Sequence, residues 1–257
     1  YAVMKVRERN FEEAEALMTR TKGALAGFAP ATLLQGIISF ERGNFQQAQT
    51  HLQELLRVAP RHAFARRLYA ATLLRTGDPD GAIKAAKPLL DEGANDSRLL
   101  ALVASAYARK GEYDQAESYL EKAVAADPKQ AALKTQLAMT RVALGEDANA
   151  LRDLEAVLQD DPKSLQALMM SALVKMRAGN FKEGLAAADR LVKAYPDMAI
   201  GYNMRGAAFL GMNRLKEAET NFRAAIQKNP NYHEARRNLA QLLVVNKNYA
   251  EARRELM

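Results

Sequence analysis

The chain has 257 residues, no cysteine, no tryptophan, three histidines and eight prolines. Without cysteine there is no disulfide and no thiol chemistry, and the compartment is left open. No stretch approaches the roughly 18 uninterrupted apolar residues of a membrane span. No charged-then-apolar segment of the signal-peptide type stands at the front. His51, His62 and His233 lack a His, Cys or carboxylate neighbour at a recurring metal-ligand spacing, so no zinc or other metal site is expected. A glycine-rich phosphate loop and a nucleophile motif are both missing. The acidic pairs Glu12-Glu13 and Asp160-Asp161 fall at helix ends or exposed faces, where nothing forces their titration. These absences read as a chain that is not an enzyme and needs no cofactor. There is also no block of like charge. The 37 Lys and Arg against 30 Asp and Glu, a formal +7, are dispersed. That is a mixed-sign solvated surface with a slight preference for acidic partners.

What the chain does have is a period. Gly43, Gly77, Gly111, Gly145, Gly179, Asn213 and Lys247 are each 34 residues apart, as are Pro60, Ala94, Pro128, Pro162, Pro196 and Pro230. A fixed period of this length means stacked supersecondary units rather than a single globular core. In the stretch from Ser97 to Gln130, a first helix carries Leu99, Leu100, Val103, Ala104 and Tyr107 at helical spacing, and Gly111 ends it. A second helix from about Tyr113 to Ala125 carries Ala116, Leu120 and Ala123, and Pro128 stops it. Neither helix can bury its stripe alone, but a hairpin stacked on the next hairpin can.

Small residues recur where helix axes approach. They are Gly36, Ala70, Ala104, Ala138, Ala172, Gly206 and Ala240 on first helices, and Ala48, Ala82, Ala116, Ala150, Gly184, Ala218 and Ala252 on second helices. Bulky residues recur at the turn: Phe11, Phe45, Tyr113, Phe181, Leu215 and Tyr249. This pattern of small, small, bulky and proline at 34 residues resembles the tetratricopeptide repeat (TPR) family. A tryptophan frequent early in that family's first helix is missing. The resemblance implies an all-α, right-handed solenoid of stacked antiparallel helix hairpins. The expected repeats are 1–28 (partial), 29–62, 63–96, 97–130, 131–164, 165–198, 199–232 and 233–257 (partial), forming one array over 1–257. Repeat 63–96 departs from the pattern. Asp78-Pro79 suits an N-cap followed by proline in the first turn. Pro88 is expected to kink or shorten the second helix.

In the family the first helices line a concave groove. Carried over residue by residue, this implies an apolar part that includes Met139, Met169, Leu173 and Met176, together with Leu33, Ile37, Phe40, Leu74, Val142 and Leu210. It also implies a cationic part of Arg67, Arg75, Arg98, Arg109, Arg177 and Arg237, with the amides Asn203 and Asn238. Methionine adapts to varied apolar partners, arginine offers a planar fork for carboxylates, and amides can hold a peptide backbone. The expected partner is thus a protein or peptide segment that is acidic with apolar anchors. The Lys–Asn clamp of chaperone-tail binders is absent: the matching positions hold Leu33 and Ile37, or Ala101 and Ser105. RNA or another polyanion on the arginines is the alternative, disfavoured because no repeated polar code with stacking groups is present. The stretches LGEDANALRDLEAVLQDDP and RAGNFKEGLAAADRLVKAYPDMAIGYNMRGAAFLGMNRLKEAETNFRAAIQKNP are also similar to TPR lipoproteins of the bacterial PEP-CTERM/exosortase system. That similarity implies an envelope or periplasmic location and a role in exopolysaccharide production or protein sorting. Tyr1 starts inside a helical pattern and Met257 stops inside one. The chain is therefore expected to be a piece of a longer array whose ends can contact another copy.

Overall fold

The computed structural model describes residues 1–20 and 28–256. These residues form sixteen helices and no strand. The expected remainder of the second helix of repeat 1–28, and Met257, lie outside the described residues.

The chain divides into two compact units, Tyr1–Lys129 and Gln130–Met257. The first contains α1 (Ala2–Arg7), α2 (Phe11–Arg20), α3 (Ala29–Glu41), α4 (Phe45–Val58), α5 (Ala63–Arg75), α6 (Pro79–Asp91), α7 (Ser97–Lys110) and α8 (Tyr113–Ala126). The second contains α9 (Ala131–Leu144), α10 (Asp147–Asp160), α11 (Leu165–Arg177), α12 (Phe181–Ala194), α13 (Ala199–Gly211), α14 (Leu215–Lys228), α15 (His233–Val245) and α16 (Tyr249–Leu256). Within each unit consecutive helices pack as hairpins, and alternate helices also touch: α3 with α5, α5 with α7, α9 with α11, α11 with α13, and α13 with α15. Each unit is thus a stretch of all-α solenoid. From Ala29 onward every odd-numbered helix starts 34 residues after the previous one, and from Phe45 every even-numbered helix does the same.

Local backbone chemistry produces this regularity. Gly43, Gly77, Gly111, Gly145 and Gly179 adopt φ between 77° and 86°, the left-handed conformation that turns a helix end. Asn213 and Lys247 take the same conformation at 59° and 60°, and so does Arg9 at 58°, one period before Gly43. The ladder therefore runs one step further than glycine alone reveals. In this conformation a Cβ costs about 1–2 kcal/mol. No atom lies within 4 Å of a Cβ built on Gly111. Gly111→Ala should accordingly destabilise by about 1 kcal/mol through backbone strain alone, read as a lower urea midpoint with unchanged helical circular dichroism.

The even-numbered helices end differently. Ala59, Asp127, Asp161, Tyr195 and Asn229 have left the helical conformation, with φ from −131° to −144° and ψ from 67° to 100°, and each precedes a proline. The proline ring excludes the helical conformation from the residue before it. Repeat 63–96 lacks that proline and uses Gly93, at φ 80°, instead. Asp78 caps α6 as its spacing suggests, its Oδ1 accepting from Gly81 N at 2.8 Å. Pro88, expected to kink or shorten the second helix, lies within α6, which continues to Asp91, three residues beyond the proline, and has 13 residues where α4 and α8 have 14. Proline removes only its own N–H from the ladder, and Glu92 N rejoins it by donating to Pro88 O at 3.2 Å.

The small positions set how closely helices pack. Ala48, Ala70, Ala82, Ala104, Ala116, Ala138, Ala150, Ala172 and Ala218 are fully buried, as are their larger neighbours Leu52, Leu154 and Phe222. Burying one such leucine contributes about 1.5–3 kcal/mol. Size trades across the contact. Gly184 leaves room for Met176, whose Cγ lies 2.5 Å from where a Cβ would stand, and Gly206 does the same for the Phe222 ring. The turn residue Phe181 lies against Gly211 of α13 in like manner.

Candidate functional site

The residues carried over to a groove divide between the two units. In the first unit four arginines of this set sit on α5 and α7. Three of them are engaged with the protein itself. Arg67 pairs with the Asp96 carboxylate and lies 5.5 Å from the Phe64 ring centroid. Arg75 lies over the Phe45 ring, also at 5.5 Å. Arg109 Nη1 donates to the Leu74 carbonyl oxygen at 2.6 Å. Arg98 is exposed and its side chain has no partner among the described residues. Leu33, Ile37 and Phe40 are half-buried, and Leu74 is buried.

In the second unit α9 and α11 present apolar side chains. Met139 is 41% exposed and Leu173 46%, and the two occupy the same register on successive odd-numbered helices. Met169 and Met176 flank Leu173 on α11 and are half-buried, packed against buried leucine and alanine clusters. Arg177 Nη2 donates to the Val142 carbonyl oxygen at 3.0 Å and pairs with Asp147. Arg237 is exposed with no side-chain partner among the described residues. Asn203 is 4% exposed, and its Oδ1 accepts from Asn238 Nδ2 at 2.9 Å.

Arg109 and Arg177 share one register position and do the same thing. Each donates to a carbonyl in the last turn of the odd-numbered helix one repeat earlier, adding to the backbone N–H that the same oxygen accepts, from Gly77 at Leu74 and from Gly145 at Val142. The guanidinium also neutralises the negative end of that helix. The recurrence of arginine at positions 75, 109 and 177, each just before a helix stop, was the available signal for this role.

Two neighbours of the asparagine pair escape a reading of the sequence alone. The Tyr232 hydroxyl donates to Glu234 Oε2 at 3.0 Å. Burial first, and then the Glu234 carboxylate, push the Tyr232 phenol up to about 12, against a smaller opposing pull from Asn203. The protonated phenol is thereby favoured in the folded state. Tyrosine in an unfolded chain ionises near 10, so this contribution to stability is complete below pH 10 and is lost as pH rises toward 12. The stability difference between the wild type and Tyr232→Phe should be flat up to pH 10 and then shift against the wild type, as followed by urea unfolding.

No group of three or more His, Cys, Asp or Glu among the described residues could hold a metal ion. No described helix is long and apolar enough to cross a membrane.

Tetratricopeptide repeats match this chain in four stretches: residues 39–106, 97–140 and 135–199, which overlap in turn, and residues 209–257. Among solved structures, the C-terminal part of a TPR repeat-containing protein from Cytophaga hutchinsonii aligns with a TM-score of 0.74 at 16% identity, over 93% of this chain and 98% of that one. YrrB, described as a TPR protein with an unusual peptide-binding site, aligns with a TM-score of 0.61 at 17% identity, over 76% of this chain and 97% of its own. DnaJ homolog subfamily C member 3 of Rattus norvegicus is 29% identical over 99 residues, or 38% of this chain. The match spans 20% of that relative's length.

Proposed function

The chain belongs to the tetratricopeptide repeat family, and from that premise we propose that it is a non-enzymatic scaffold that holds a segment of another protein. One observation carries this reading. Met139 and Leu173 stand exposed at matching positions on successive helices, as two adjacent anchoring points for apolar side chains. Methionine and leucine cost little to desolvate, and methionine repacks around varied partners. Arg237, whose side chain has no partner among the described residues, adds positive charge on α15 of the same unit, which suits a partner with an acidic flank. The peptide-binding site that names YrrB supports a peptide-like occupant.

The polyanion alternative is weakened by where the arginines spend their donors. Arg109 and Arg177 bond to backbone carbonyls, and Arg67 and Arg177 also pair with carboxylates. For the cellular setting we propose a role in assembly of a bacterial envelope or exopolysaccharide machine, a reading supported by the sequence similarity to PEP-CTERM-system lipoproteins. The test is capture from lysate with and without nuclease, using wild type and Leu173→Asp as baits. Capture that resists nuclease and disappears with Leu173→Asp is the expected result. Capture abolished by nuclease, or unaffected by Leu173→Asp, overturns the reading.

A further inference from the structure

A cavity in the first unit shares no residue with the groove set. It is lined by Gln53, Leu56 and Arg57 of α4, Arg66 and Tyr69 of α5, and Ala85 of α6, and has a volume of about 440 Å³. Two guanidinium groups line it and no carboxylate does. Arg57 makes no side-chain hydrogen bond, ion pair or ring contact with any other described residue. Arg66 is half-buried and held in place: its Nε donates to Pro60 O, and Nη1 lies 3.5 Å from Ala85 O. Its remaining N–H groups are left for a ligand. The Tyr69 hydroxyl accepts from Gln53 Nε2 at 2.6 Å, which leaves its own proton to donate. Donors thus converge on the cavity from three side chains.

The chain contains an internal comparison. Arg236 stands at the same register as Arg66, five periods later, and makes the same hydrogen bond, its Nε donating to Pro230 O at 2.9 Å. There the charge is compensated, because Arg236 Nη1 pairs with Glu255 at 3.0 Å. The residue in register with Glu255 beside Arg66 is Ala85. The acid that neutralises this arginine in one repeat is thus replaced by a methyl group in the other, and Arg57 adds a second uncompensated charge where that register carries Gln227.

We propose that this cavity binds the phosphate of a small phosphate ester. Two unopposed guanidinium groups match a dianion better than a monovalent carboxylate, since each can offer a fork of charge-assisted hydrogen bonds. The volume exceeds what a bare phosphate needs. Leu56, Ala85 and the Tyr69 ring supply an apolar wall for a small organic group.

The test is calorimetric titration of the full chain at low ionic strength with phenyl phosphate, inorganic phosphate and benzoate. Phenyl phosphate should bind saturably at one site, inorganic phosphate more weakly, and benzoate not at all. Arg57→Gln should weaken phenyl phosphate binding by about tenfold or more, the loss expected for one hydrogen-bonded charge, with unchanged thermal melting because Arg57 supports no other side chain. Arg66→Gln should weaken it as well. Absence of saturable binding by the wild type, equal binding by Arg57→Gln, or benzoate binding as tight as phenyl phosphate would each overturn the assignment.

Discussion

Phe222→Ala is expected to lower the unfolding free energy by about 3–5 kcal/mol, the range for removing a buried aromatic ring. Phe222 on α14 is fully buried and packs with Leu239, Ala240, Leu242 and Leu243 of α15. Opposite it stands Gly206 on α13, which cannot extend to fill the void. The same register positions elsewhere hold a buried alanine and a buried leucine, as at Ala104 and Leu120 or Ala138 and Leu154. A larger knob here meets a smaller hole. Gly206→Ala alone should therefore cost about 1–3 kcal/mol, because the new methyl would stand 2.5 Å from Phe222 Cε1. Adding Phe222→Leu to Gly206→Ala should recover part of that loss, because it rebuilds the alanine–leucine pair. Urea denaturation of the wild type, the single variants and the double variant checks this as a double-mutant cycle. A coupling of about 0.5–3 kcal/mol is expected for residues in contact, and strict additivity would refute the compensation.

Partner binding is expected to respond as strongly to a change at the exposed apolar pair. Leu173→Asp or Met139→Asp should weaken capture by about 2 kcal/mol or more, roughly thirtyfold, if these side chains are central anchors. Leu173 is 46% and Met139 41% exposed in the free protein, so neither change should disturb folding. Met169→Asp is a less clean probe. Met169 packs against the buried cluster of Leu154, Val157 and Leu168, and an aspartate there would cost stability as well as binding. Arg109→Glu is compromised similarly, because it removes the bond to Leu74 O. Affinity measured by fluorescence anisotropy on the captured segment, beside thermal melting of each variant, separates the two effects. Unchanged affinity for both aspartate variants would show that the partner lies elsewhere.

Much of the helical scaffold was legible in the residues because it depends on chemistry local to a few positions. Gly111 predicts a left-handed stop from its missing Cβ alone, and Pro128 predicts the end of the helix that stops at Ala126. Ala116 and Ala150 predict close approach because small side chains recur at one spacing, and both are fully buried. Where a local rule has competitors, it misleads or falls silent. Pro88 was expected to kink or shorten its helix, and how far it does so was not legible: α6 runs through it and has 13 residues where α4 and α8 have 14. Arg9 and Lys247 occupy left-handed stops that their residue types do not announce. The candidate site was legible as a set of positions but not as a set of free groups. Arg98 and Arg109 look alike in the sequence, yet one is exposed without a side-chain partner and the other is bonded to a carbonyl 35 residues away.

By itself, then, the sequence determined the 34-residue period, the place of most helix ends and the identity of the packing positions. Each of these follows from the backbone preferences of glycine and proline or from side-chain volume at a repeated spacing. Only the tertiary structure decided which side chains remain available. It buried Asn203 against Asn238, engaged Arg109 and Arg177 with the preceding repeat, and set Arg66 beside Ala85 while Arg236 faces Glu255. The physical reason is reach. A long polar side chain spans the gap between neighbouring repeats, so its partner is set by what the stacked helix presents there and not by the residues beside it in the chain.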